Sequence, residues 1–116
     1  IAERLRQDFP DDPDRIYLCL AGMTGIRPGI RLPDGRVIRL NPDPLTWLGL
    51  SGQVPGFSGL VGRLDAGGTA QGFLDLGWLP PRAAGIPFWL VGLTLDRTAP
   101  SGFSTVSDPI VIQLRQ

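Results

Sequence analysis

Apolar positions recur every second residue through most of this chain, the period of half-buried strands. "RIYLCLAGM", from residue 15, sets Ile16, Leu18 and Leu20 on one side and Tyr17 and Cys19 on the other. "LPDGRVIRL" carries Asp34-Gly35, a two-residue turn signal, ahead of a strand at "RVIRL". "NPDP" turns the chain again, and "LTWLGL" reads as a further strand. "FWLVGLTLDR" is the longest apolar run and the best central strand, apolar on both faces. Such a strand is either covered on both sides or meets another chain or domain with its outer face. "TVSDPIVIQLR" closes the chain, with Pro109 marking an edge or a bulge. Only the start differs: Ile1, Leu5 and Phe9 are four apart, a helical stripe that "PDDPD" terminates. These periods predict an all-β fold, an antiparallel two-sheet β-sandwich of seven or eight strands. Residues 1–14 form a helical or extended lead-in and residues 15–116 the domain.

The stretch "RLDAGGTAQGFLDL" places glycines between two aspartates, which fits either a catalytic loop or a hairpin tip. With Ala66-Gly67 or Gly67-Gly68 as the turn, Val61, Arg63, Ala70, Gly72 and Leu74 share the core face. Leu60, Leu64 and Phe73 then point outward. Asp65 and Asp75 lie ~20 Å apart along the return strand, beyond the roughly 5–9.5 Å of a glycosidase carboxylate pair. No helix opens behind the glycines and no Lys-Ser/Thr follows, so a phosphate cradle is not expected. The hairpin tip is the better reading.

Composition narrows the chemistry. The chain is 42% hydrophobic with 16 Gly and 12 Pro, which suits one turn-rich domain and not a disordered segment. All eleven basic residues are Arg and balance eleven acidic ones, so electrostatic capture of nucleic acid or an acidic membrane is not expected. There is no His and no Lys. Ser-His or Cys-His catalysis, a Schiff-base lysine and an imidazole-ligated metal are therefore excluded. Cys19, alone in an apolar run, forms no internal disulfide and reads as a small buried hydrophobe. No stretch approaches the ~18 apolar residues of a membrane span. A chain beginning at Ile1 reads as a processed product or part of a longer protein, with any targeting signal upstream.

Three groups of residues carry the remaining candidates. "DFPDDPD" packs Asp8, Asp11, Asp12 and Asp14 into seven residues. Carboxylates so clustered could supply oxygen ligands to calcium, although the alternating order of a calcium loop is missing. A solvated linker is the favoured reading. Trp47 and Trp78 could stack on sugar rings, while Trp89 belongs to the core; of the three, Trp78, beside Pro80 and Pro81, is the one expected to be exposed. Leu60, Leu64, Phe73 and Trp78 are the candidates for contact with a partner.

The ordered set "YLCLAGMTGIRPGIRLPDGRVIRLNPDPLT", "FSGLVGRLDAGGTAQGFLDL", "FWLVGLTLDR" and "STVSDPIVIQL" covers residues 16–114. It resembles an uncharacterised β-sandwich module of secreted or surface proteins from planctomycete-like and myxobacterial-like bacteria. No catalytic residue belongs to that pattern. The resemblance implies a non-enzymatic structural, interaction or assembly module at an extracellular or cell-envelope location, joined to other protein domains or to copies of itself. The alternative expectation is a carbohydrate-binding module for glycans, with calcium as its one candidate cofactor.

Overall fold

The computed structural model describes residues 2–54, 56–75 and 87–113. Its elements in order are strands β1 (Ala2–Asp8), β2 (Ile16–Gly22), β3 (Ile30–Arg31) and β4 (Val37–Ile38), then helix α1 (Pro44–Leu50). They continue with β5 (Phe57–Ser58), β6 (Val61–Arg63), β7 (Thr69–Asp75), β8 (Pro87–Leu95), β9 (Phe103–Val106) and β10 (Ile110–Gln113). The protein is an all-β, antiparallel sandwich-like fold with one short helix. Among the described residues ten strands occur where seven or eight were expected. The excess comes from two-residue pieces and from a last strand cut in two by Ser107-Asp108-Pro109.

The first sheet has the order β1-β7-β5; the second has the order β10-β8-β2-β6, with β9 also on β8. Cys19, Ala21 and Leu90 of the second sheet meet Leu74 of the first, with Leu60, in an apolar cluster between the layers. Successive strand residues point to opposite faces, so Leu20, Val91 and Leu93 pack on the far side. There they meet Leu32, Ile38 and Leu40. The β3–β4 hairpin thus acts as a lid over the second sheet. β8 is covered on both sides, which resolves the apolar character of both its faces. Each fully buried Leu or Val contributes about 1.5–3 kcal/mol relative to exposure.

Several local expectations are corrected. Residues 2–8 form a strand and not a helix, with Ala2 opposite Asp75 and Asp8 opposite Thr69 on β7. "LTWLGL" is helical: Asp43 caps α1, its carboxylate accepting from the Thr46 N–H at 3.3 Å while Thr46 Oγ1 accepts from the Asp43 N–H at 3.2 Å. Pro44 stands at the start of the helix, where its missing N–H costs nothing. The Thr46 hydroxyl, fully buried, donates to the Ala21 carbonyl at 2.6 Å and fastens the helix to β2. At the β3–β4 hairpin the Leu32 N–H donates to the Arg36 carbonyl, enclosing Pro33, Asp34 and Gly35 in a three-residue loop and not a two-residue one.

The glycine-rich stretch is a turn, as expected. Gly68 N–H donates to the Asp65 carbonyl at 3.0 Å, with Ala66-Gly67 between them. Asp65 Oδ1 accepts from the Gly67 and Thr69 N–H groups, both at 2.9 Å. The strands it joins lie in different sheets, however: β6 pairs with β2 and β7 with β5. The chain changes layer at Gly59, which shifts the alternation by one residue. Leu60 and Leu64 are therefore core residues, 3% and 1% exposed, and Val61 takes the outward position. Tyr17 secures the crossing, its hydroxyl donating to the Gly59 carbonyl at 2.8 Å.

Candidate functional site

Leu60 packs between the sheets, and Leu64 joins Phe9 and Tyr17 in a second buried group. Neither can meet a partner, a correction that follows from the layer change at Gly59. Phe73 is 39% exposed on the outer face of the first sheet, as read from its alternation. Trp78 lies outside the described residues. Trp47 is the most exposed of the large described apolar side chains, at 61% on α1.

The four clustered aspartates do not converge. Asp11 and Asp14 are exposed, and Asp8 faces Arg6 and Thr69, accepting from Thr69 Oγ1 at 2.9 Å. Asp12 turns inward and is 2% exposed, which corrects the solvated-linker reading at that position. Its carboxylate accepts from the hydroxyls of Thr94 at 3.0 Å, Ser104 at 2.6 Å and Thr105, and it lies 3.4 Å from Arg15 Nε. Burial disfavours its charge, but the three hydroxyls and Arg15 outweigh that penalty and hold the carboxyl below its ordinary value. The loop before β2 is thereby tied to β8 and β9 by one buried anion whose lone pairs are committed. Among the described residues no three His, Cys, Asp or Glu side chains gather as a metal would need.

Cys19 is buried, and burial pushes its thiol up to about 12, so it is protonated and not a nucleophile. Asp65 sits in the turn before β7, whereas Asp75 ends that strand, so the two aspartates lie at opposite ends of the segment.

The distinctive surface is the margin where both sheets end. Among the described residues β1 is the edge of the first sheet, and β9 and β10 form the edge of the second. Between them opens a cleft of about 190 Å³, with Arg6, Gln7 and Asp8 on one wall and Ser107, Asp108 and Ile110 on the other. Its floor is Gly92, where a Cβ would stand 2.8 Å from the Phe9 ring and 3.4 Å from Gln7 Oε1. A side chain there would press on the tip of the Phe9 ring, so glycine lets that ring pack directly on β8. Ser107 bridges the break between β9 and β10: its N–H donates to the Gly92 carbonyl at 2.9 Å, and its Oγ accepts from the Gly92 N–H at 2.8 Å.

Two features of this margin escape the sequence reading. Gln7 is only 6% exposed, and both polar atoms of its amide are buried with no hydrogen-bond partner among the described residues. Such a group costs roughly 1–3 kcal/mol. Ile110 and Val111 of β10 are 53% and 55% exposed, neighbours that point to opposite faces of an edge strand. Reading "RLRQDF" with a period of two puts Gln7 on the same face as Phe9 and flags it as a buried polar residue.

Among the described residues no helix is long and apolar enough to cross a membrane. Comparison with known proteins finds no family model, no curated protein and no solved structure that matches this chain.

Proposed function

We propose that this domain is a non-enzymatic structural, interaction or assembly module of a bacterial extracellular or cell-envelope protein, associating with other protein domains or with copies of itself. The observation that carries this reading is the edge strand β10, which presents Ile110 and Val111 to solvent on its two faces. Edge strands are templates for further pairing, and natural proteins commonly protect them with charge, proline or a cover. Among the described residues, Pro109 shields only the beginning of the strand. Sedimentation of the chain over a wide concentration range is expected to show reversible self-association. Ile110→Arg with Val111→Arg is expected to weaken it by about tenfold or more, since an unpaired charge would be carried into an apolar contact. A monodisperse wild-type monomer at the highest soluble concentration contradicts this reading.

Trp47 favours a second one, a carbohydrate-binding module. Its indole stands 61% exposed on a helix anchored by a capping box and by the Thr46 hydroxyl, a rigid aromatic face of the kind on which a sugar ring stacks. Titration with glycans is then expected to quench tryptophan fluorescence, and Trp47→Ala to abolish the response. Quenching that survives Trp47→Ala rejects this site.

A further inference from the structure

We infer that β1 is the contact through which two copies of this chain pair, antiparallel and about a two-fold axis, with Gln7 of each copy meeting Gln7 of the other. The inference rests on the assembly reading and names the surface and register that it uses.

The hydrogen-bond direction of β1 sets the geometry. Phe9 N–H donates to the Gly68 carbonyl at 2.7 Å, so Phe9 and Gly68 are a hydrogen-bonded pair of the β1–β7 ladder. Such pairs alternate along an antiparallel ladder. Gln7 opposite Ala70 is then hydrogen-bonded as well, whereas Asp8 opposite Thr69 and Arg6 opposite Gln71 are not. The backbone N–H and C=O groups of Arg6 and Asp8 consequently point away from β7, to the edge that no described strand occupies. Two donors and two acceptors face outward there.

A second copy of β1 satisfies all four when Arg6 of one chain stands opposite Asp8 of the other. The two-fold axis repeats the match, so two guanidinium–carboxylate pairs form on the outer face. Sliding the partner by two residues one way sets Asp8 against Asp8. Sliding it the other way sets Asp8 opposite Arg4 but forces Arg6 against Arg6, so only the Arg6–Asp8 register opposes no like charges. Charge thus selects one register. In that register Gln7 faces Gln7 at a non-hydrogen-bonded pair, the closest approach of side chains in an antiparallel ladder. A primary amide offers both donor and acceptor, so two Gln7 side chains that turn from their enclosed positions beside Gly92 toward each other exchange two hydrogen bonds. The amide left without a partner among the described residues of each chain acquires one. Ile110, on the opposite wall of the same cleft, comes under cover along with it. Pro10 ends the ladder, having no N–H to give.

The test uses the full chain. Gln7→Cys is expected to yield a covalent dimer on mild oxidation, because Cα atoms at such a pair lie about 4.5 Å apart, within disulfide range. The wild-type chain, whose only thiol is the buried Cys19, is the control. By sedimentation equilibrium, Asp8→Arg is expected to weaken the dimer by about tenfold or more, the like-charge contact being repeated by the two-fold axis. The double variant Arg6→Asp/Asp8→Arg restores opposite charges and is expected to recover most of that loss. It lacks the same Thr69 contact as the single variant, so a merely structural role for Asp8 would leave both equally weak. A dimer that does not cross-link through position 7 and does not respond to the charge swap overturns β1 pairing but leaves assembly through another surface standing. Absence of any dimer overturns both.

Discussion

Replacing Asp12 by Ala is expected to cost the fold about 3 kcal/mol, the loss of several hydrogen bonds to a buried charge. For a domain of this size that lowers the melting temperature by roughly 10 °C. The carboxylate joins segments more than eighty residues apart, since Thr94, Ser104 and Thr105 all donate to it. Removing it leaves the buried Thr94 and the half-buried Ser104 and Thr105 hydroxyls without their acceptor and frees the loop before β2. Arg15 keeps a second carboxylate, Asp96, 3.5 Å from its Nη1, so the defect centres on the hydroxyls. The effect depends on pH with a definite sign. The native fold holds Asp12 below its ordinary value, so protons bind the unfolded chain more readily and acid favours unfolding. Its contribution is fully present above the ordinary carboxylate value, about 4, and fades as pH falls through the depressed native value. Asp34, which Arg36 holds down to about 2 mainly through a side-chain hydrogen bond, acts in the same direction. Thermal melts should therefore show the gap between wild type and Asp12→Ala wide at pH 7 and narrowed near pH 2.

Gly59→Ala should be comparably damaging, at about 3 kcal/mol or more, because conformation and space oppose it together. Gly59 has φ +72°, in the left-handed region that favours glycine. A Cβ there would stand 2.6 Å from the Gln71 carbonyl oxygen and 2.8 Å from the Gly72 Cα, backbone atoms that cannot step aside. This residue carries the chain from the first sheet to the second, so the clash falls where β5 leaves β7. Gly52 supplies the control: its φ is +75°, but nothing lies within 4 Å of a Cβ built on it. Gly52→Ala should thus cost only the conformational part, about 1 kcal/mol. Urea titrations of the two variants separate the terms. Equal losses would mean that close approach at Gly59 is unimportant.

The fold class was legible because strand alternation dominates the chain and Gly and Pro punctuate it. β8 and the turn at Ala66-Gly67 follow directly from that pattern. The lead-in reads as helical or extended because a spacing of four belongs to both periods: Ile1, Leu5 and Phe9 share a face on a helix and also on a strand. Only β7, 61 residues beyond Asp8 at its nearest paired position, decides between them. "LTWLGL" is short and apolar enough to suit either state, yet Asp-Pro-x-Thr immediately before and inside it was a capping signal that could have settled the matter. Leu60 and Leu64 were placed outside because alternation was carried through Gly59 without a break. A glycine in a strand is a recognised mark of a bend, although its effect on register needs the partner strands. Asp12 was the least legible. Its hydroxyl partners come from "LTL" and "FSTVS", and nothing local distinguishes it from the exposed Asp11 and Asp14.

The surface assigned to association is equally a product of topology. β1 and β10 come from opposite ends of the sequence, and the fold sets them along one margin with the Gln7 cleft between. Hydrogen exchange of the backbone amides, compared between dilute and concentrated chain, tests that assignment most directly. The Arg6 and Asp8 amides, which face the open edge, should exchange freely in dilute solution and become protected as concentration rises, while those of α1 stay unchanged. Arg6 and Asp8 amides that exchange equally fast at every concentration would contradict it.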